Sequence, residues 1–321
     1  MSYKLGIDLG GTKILIALEK EGGGIISSGK FPTGATRGVD SVLDNLASRT
    51  SEVLSHAGVS RHELVGLGIC VAGFYDIRTR TIVSSPNLPG WEQFPLEQEL
   101  KKRFKVPVLV ENDANAAAYG EYLYGAGRGK KNMVNITLGT GIGGGIITEG
   151  HIYRGGGGFA GEVGHINVLP GGPLCGCGRR GCLESVSSGL AIAREGRLLL
   201  ESGGGDLLRK ITGEKGQLTA GHVFEAARNG DAGAARIIRE AARFLGLALS
   251  FVVNILNPEV ITMSGGMAQA GEQLFVPVRH YLKEAAIPPS GDMVSVVPAV
   301  LGEEAGVRGV LSLLEQYLKK L

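Results

Sequence analysis

The sequence predicts an α/β protein built as two similar halves that face each other across a cleft. Three observations carry this. The chain has 321 residues, beyond the size at which a single core usually stops growing, so two domains are expected. A strand, a glycine turn and a return strand open the chain, and the same unit recurs near residues 133–148. Helix-patterned stretches then follow strands in both parts. The repeat is architectural rather than residue by residue. A cleft between two halves whose hairpins carry glycines at their tips is where a ligand is expected to sit.

Taken in order, residues 4–9 read as a buried strand that breaks at Gly10-Gly11. Strands at about 13–19 and 25–30 complete an antiparallel meander. Over residues 38–57, Val39, Val42, Leu43, Leu46, Val53 and Leu54 recur with a helical rhythm. A strand at 64–71, a helix near 95–104, a strand at 106–111 and a helix at 114–124 follow. The pattern restarts with a strand at 132–138 and a return strand at 143–148. A glycine- and cysteine-rich segment spans 150–184. Helices are expected at about 187–202, 219–229 and 231–256, and a strand at 260–264 ends in Gly265-Gly266. The last helix, from about 302 to 319, sets Val307, Val310, Leu311 and Leu314 on one face.

Composition narrows the function classes. Hydrophobic residues make up 43% and charged residues 20%, with a net charge of +2, as in an ordinary soluble globular protein. Lys101, Lys102 and Arg103 form the longest basic run, on an amphipathic stretch that reads as a solvated helix face. Neither a nucleic-acid nor a membrane partner is expected. No signal segment opens the chain, so the expected location is cytoplasmic. Three of the four cysteines, Cys175, Cys177 and Cys182, lie within eight positions, which a disulfide framework explains poorly. Glycine is the outlier: its 53 residues are more than twice the typical ~7%. They cluster after apolar runs, where backbone approaches a ligand closely.

Three glycine turns at strand ends form a candidate anion site. Asp8-Leu9-Gly10-Gly11-Thr12-Lys13 ends the first strand. Its backbone N–H groups can face an anion, Thr12 adds a hydroxyl, and Asp8 can hold Mg²⁺ through water. A β-turn with a capping aspartate would read the same way. The second turn, Leu138 to Gly145, contains G-x-G-x-x-G at Gly139, Gly141 and Gly144. A dinucleotide fingerprint must open a helix, whereas Ile146-Ile147-Thr148 continues as a strand, so that reading is rejected. No G-x-x-x-x-G-K-[ST] occurs, which disfavours a P-loop. The third turn, Ser264-Gly265-Gly266, can pack against a base or ribose. Together, Asp8 to Lys13, Gly139 to Gly145 and Gly265-Gly266 resemble the two phosphate elements and the adenosine element of the actin, hexokinase and Hsp70 superfamily. The fold this resemblance implies is two ribonuclease-H-like domains closing on ATP.

Phosphoryl transfer to an alcohol needs a carboxylate to orient the hydroxyl and accept its proton. Glu111-Asn112-Asp113-Ala114-Asn115-Ala116 offers Asp113 where a strand meets a helix, and Asn112 can bond a neighbouring hydroxyl. A plain helix cap is the competing reading of Asp113. His165 with Cys175, Cys177 and Cys182 makes a Cys₃His set suited to a structural tetrahedral Zn²⁺. Glu162 and Glu184 flank that set and are placed to accept from sugar hydroxyls.

Glu162-Val163-Gly164-His165, the C-x-C-G-x-x-G-C-x-E cluster and E-N-D-A-N-A are similar to the motifs of the ROK family (repressor, open reading frame, kinase), and the likeness runs over the whole chain. It implies Asp113 as catalytic base, and Asn112, Asp113, Glu162, His165 and Glu184 as sugar ligands, with Gly73 and Asn87 in outer sugar loops. It implies Asp8, Gly10, Gly11, Thr12, Lys13, Gly139, Thr140, Gly141, Gly265 and Gly266 around ATP and Mg²⁺, and His165, Cys175, Cys177 and Cys182 around zinc. Domains of residues 1–117 plus about 303–321 and of 118–302 follow, as does a homodimer or homotetramer. ROK repressors carry a helix-turn-helix module ahead of the first phosphate loop. With seven residues before Asp8, none is expected here. The short stretch between His165 and Cys175 is similar to that of glucokinase-type members, so glucose is the expected hexose. N-acetylmannosamine, fructose and N-acetylglucosamine kinases stay open, as does a sugar sensor without catalysis.

Overall fold

The computed structural model describes residues 1–213 and 216–321. The chain builds the same sheet twice. The first uses β1 (Tyr3–Leu9), β2 (Lys13–Lys20), β3 (Ile25–Pro32), β4 (Leu64–Val71) and, after a small separate hairpin of β5 (Phe74–Asp76) and β6 (Thr81–Ser84), β7 (Val108–Asn112). Their order is β3-β2-β1-β4-β7. The second uses β8 (Met133–Leu138), β9 (Ile142–Thr148), β10 (His151–Ile152), β11 (Val260–Ser264) and β12 (Ser295–Pro298), in the order β10-β9-β8-β11-β12. In each sheet the first three strands are an antiparallel meander, and the last two add in parallel to the first. Alternate residues of a strand share a face, and Leu5, Ile7 and Leu9, on one face of β1, are all fully buried.

The helices are α1 (Val39–His56), α2 (Leu96–Phe104), α3 (Asp113–Tyr124), α4 (Leu183–Ser187), α5 (Gly189–Glu201), α6 (Asp206–Thr212), α7 (Ala220–Arg228), α8 (Ala232–Leu256), α9 (Glu272–Ala285), α10 (Ser290–Met293) and α11 (Ala305–Leu318). One core gathers β1, β4 and α1 around Leu43, Leu46 and Trp91. The other gathers β8, β11, α8 and α9 around Leu245, Leu249 and Phe275. Among the described residues no helix is long and apolar enough to cross a membrane.

Apart from the β5–β6 hairpin, expected and observed elements agree closely up to residue 148. Beyond it, the helix expected over 187–202 is α5, capped by Ser188, which accepts from Ala191 N–H, and the short α4 just ahead of it was not expected. The last helix begins at Ala305, not at 302, after a single 3₁₀ turn. The sequence offered no element for β5, β6, β10, α4, α6, α9, α10 or β12. Pro277 lies inside α9 and reads as a helix breaker.

Two helices join the halves. α3 packs on β9, and α11 packs on β1 and β4. They meet where Gly309 and Gly120 leave no room for a Cβ against the carbonyls of Ala116 and Ala305. Fully buried Glu121 of α3 accepts from the N–H groups of Ala126 (2.9 Å), Val300 (3.0 Å) and Leu301 (2.8 Å), so it fixes the chain leading into α11. Glu121→Ala takes the acceptor from three part-buried donors, each hydrogen bond to the charged carboxylate contributing about 1–3 kcal/mol. We expect a loss of about 3 kcal/mol or more in urea unfolding, and a change below about 1 kcal/mol would contradict this role.

Candidate functional site

Both hairpin tips are built on one plan. At the β1–β2 tip Gly10 N–H donates to Lys13 carbonyl at 3.0 Å, and Thr33 Oγ1 donates to Gly10 carbonyl at 2.6 Å. At the β8–β9 tip Gly139 N–H donates to Gly141 carbonyl at 3.0 Å. The first glycine of each tip therefore closes its own turn, and its N–H does not face an anion as the sequence suggested. Gly11 and Thr12, and likewise Thr140 and Gly141, keep N–H groups with no partner among the described residues. These form the two backbone nests. Gly265 adopts φ 89° with its Cα directly against the Leu138 backbone, a position open only to glycine.

Asp8 ends β1 beside Cys70 of β4. Burial raises its carboxyl to about 6, against lowering by the Cys70 thiol and Lys13. Asp113 is the first residue of α3, and the cap is Asn112, whose Oδ1 accepts from Asn115 N–H at 3.1 Å. Asp113 is thus relieved of the capping role that its position suggested. Burial, followed by the charge of Asp8, raises its carboxyl to about 7. Asp8, Lys13, Asp113, Thr137 and Gly265-Gly266 line one cavity of about 690 Å³. Lys13 is engaged there: Glu303 bridges it to Lys30, at 2.7 Å from Lys30 Nζ. Those two lysines hold the Glu303 carboxyl down at about 2.

The outer loops converge on the same end of the first sheet. Asn112 Nδ2 donates to Gly73 carbonyl at 3.1 Å, and Asn87 packs against Gly11. Across the cleft, Glu184 Oε2 accepts from Ile142 N–H at 2.8 Å, at the tip of the second hairpin. Glu162 lies 3.9 Å from His165 Nε2. Burial and then Glu184 raise its carboxyl to about 7.

His165, Cys175, Cys177 and Cys182 present ligand atoms all within 4.8 Å of one another. His165 Nδ1 faces Cys175 Sγ at 3.7 Å, and Cys177 Sγ lies 3.7 Å from Cys182 Sγ. That is far beyond a disulfide bond and within the spread of a tetrahedral ion's ligands.

A second cavity of about 760 Å³ adjoins the first through Gly266 and Gln269. Gly139, Thr140, Met267 and the start of α7, from Thr219 to Phe224, line it. Sequence reasoning saw α7 only as a helix. Its one signal, the small residues Thr219-Ala220-Gly221 at a helix start, is common to many helices.

Two like-folded halves, with paired glycine hairpins opposed over a carboxylate-lined cleft, define a sugar phosphotransferase of the actin and hexokinase superfamily. Residues 4–317 match the ROK family, and the chain belongs to that family. The glucokinase of Halalkalibacterium halodurans is 40% identical over 96% of this chain and 93% of its own. A solved ROK family glucokinase from Streptomyces griseus, in complex with glucose and AMPPNP, is 35% identical with a TM-score of 0.83, covering 98% of this chain and 100% of that one. The xylose repressor of Bacillus spizizenii is 29% identical over 98% of this chain and 77% of the repressor.

Proposed function

We propose that the chain is an ATP-dependent glucokinase that transfers the γ-phosphoryl group of ATP to the 6-hydroxyl of glucose. The observation that carries this reading is Asp113, a recessed carboxylate relieved of capping and raised to about 7, set in one cavity with Asp8 and the glycine turns. The glucokinase relatives support glucose and ATP as substrates.

In this mechanism the sugar sits between Asn112 and Asp113 on one side and Glu162, His165 and Glu184 on the other, with Gly73 and Asn87 at its edge. Asp113 orients the 6-hydroxyl and takes its proton as the oxygen bonds to the γ-phosphorus and the bond to ADP breaks. Gly11, Thr12, Thr140 and Gly141 offer N–H donors to the phosphates, which stabilises charge without reorganisation. Adenosine occupies the cavity under α7 beside Gly265-Gly266. Mg²⁺, which neutralises phosphate charge, would be held by Asp8. Zn²⁺ would be held by His165, Cys175, Cys177 and Cys182, with no open position and a purely structural part. The packing of α11 on β1 and β4 supports a division into 1–117 plus about 303–321 and 118–302.

The test is ADP release from MgATP with glucose, mannose, fructose, N-acetylglucosamine and N-acetylmannosamine in turn. Glucose is expected to give the highest kcat/KM. An N-acetyl sugar in first place would replace the substrate, and silence with every sugar would replace the enzyme by a sensor. Nucleotide placement has its own check. A Cβ at Gly221, in the α7 cavity, would meet only Thr219 Oγ1 at 3.5 Å, an ordinary contact, so Gly221→Phe should raise the KM for ATP about tenfold or more, a cost near 1.4 kcal/mol. Glucose binding measured by calorimetry should stay as in the native protein.

A further inference from the structure

We infer that the partly buried Glu111–Arg154 ion pair is a strut that sets the catalytic base against the sugar-side carboxylate, so that both residues are positioning residues for the reaction. The inference rests on the glucokinase reading. Glu111, near the end of β7, is 3% exposed. Its Oε1 accepts from Asn112 N–H at 3.1 Å and from Asn115 Nδ2 at 3.0 Å. Its Oε2 accepts from Arg154 Nε at 2.7 Å and lies 2.6 Å from Arg154 Nη2. One carboxylate thus holds the β7–α3 corner, which presents Asn112 and Asp113, to an arginine of the opposite half.

Arg154 is the fixed point of a loop. Its carbonyl accepts from Ala160 N–H at 3.1 Å, which closes residues 155–159 on themselves and delivers Glu162 two residues later. The tip of this loop reaches back across the cleft: Ile77 N–H donates to Gly157 carbonyl at 3.1 Å, and Phe159 meets Phe74 edge-on with ring centroids 6.1 Å apart. The strut therefore joins the support of Asp113 to the support of Glu162. Burying the Glu111 charge is costly, and an apolar side chain there would serve packing as well. A forked guanidinium on a fixed carboxylate adds direction, which packing does not.

The experiment compares the native full-length, zinc-loaded protein with Glu111→Gln, Arg154→Lys and the double variant. Melting and zinc content report the folded fraction. Arg154→Lys keeps the charge and loses only the fork, so it stays informative if Glu111→Gln folds badly. Per folded molecule, kcat should fall about 10–100-fold and the KM for glucose should rise, while the KM for ATP stays within about twofold. The double variant should be no worse than the worse single variant, as for one shared contact. Native kcat and glucose KM in both singles, or multiplicative losses in the double, would overturn the strut. A native protein that phosphorylates no sugar would overturn the glucokinase reading and the strut with it.

Discussion

Asp113→Asn should lower kcat by about 10²–10⁴-fold, the usual contribution of a positioned general base, while glucose still binds with near-native affinity. Asparagine keeps the shape and can still accept from Ala114 N–H, as Asp113 Oδ1 does at 2.9 Å. What it loses is the ability to take a proton. The pH profile follows from the carboxyl raised to about 7 by burial and by Asp8. The base works only when ionised, so kcat/KM for glucose should fall about tenfold per pH unit below about 7 and level off above it. Stability moves the opposite way. The folded state raises this carboxyl from its ordinary 3.8, so the group imposes no penalty below about pH 4, a growing one up to about 7, and a constant one beyond. Removing the charge removes that penalty, and the variant should melt no lower than the native protein at pH 8. A slow variant that is also destabilised at pH 8 would point to a structural role. Near-native turnover would remove Asp113 from the chemistry.

The parts of this site legible in the sequence are those where chemistry and chain position coincide. Gly10-Gly11, Gly139-Gly141 and Gly265-Gly266 each follow an apolar strand, and strand ends are where a sheet presents backbone to a ligand. The Cys₃His cluster was legible because Cys175, Cys177 and Cys182 sit close along the chain. The repeat of one sheet in two halves was legible as a recurring strand–turn–strand rhythm. Asp113 was ambiguous, because Asn112 and Asp113 are equally good caps and only the fold assigns the cap to Asn112. The α7 cavity was not legible, since Thr219 to Asn229 contribute through placement rather than unusual chemistry. Nor were contacts set by tertiary folding: Glu111 to Arg154 over 43 positions, and Glu121 to Val300 over 179.

Cys177→Ser should cost the protein its zinc, part of its thermal stability and its grip on glucose together. The segment from Gly161 to Glu184 has little regular structure. A single 3₁₀ turn and the isolated bridges Asn167–Cys182 and Leu174–Arg180 are its secondary structure before α4. Val163, Val168 and Leu183 are its apolar anchors in the second core. A metal held by four ligands would supply the missing cross-links, because binding the folded ligand set is itself folding free energy. If the site contributes about 3 kcal/mol, melting should drop by about 4–5 °C in a chain of this size. The same ion would join His165, three residues after Glu162, to Cys182, two before Glu184, and so would space the two carboxylates. The KM for glucose should rise more than the KM for ATP, because the cavity under α7 proposed for adenosine is lined by none of the cysteines. Treating the native protein with a strong chelator should reproduce the variant, and restored zinc should reverse it only in the native chain. A metal-free Cys177→Ser protein with native melting and native glucose KM would refute a structural zinc and leave the cysteines as a cluster of reduced thiols.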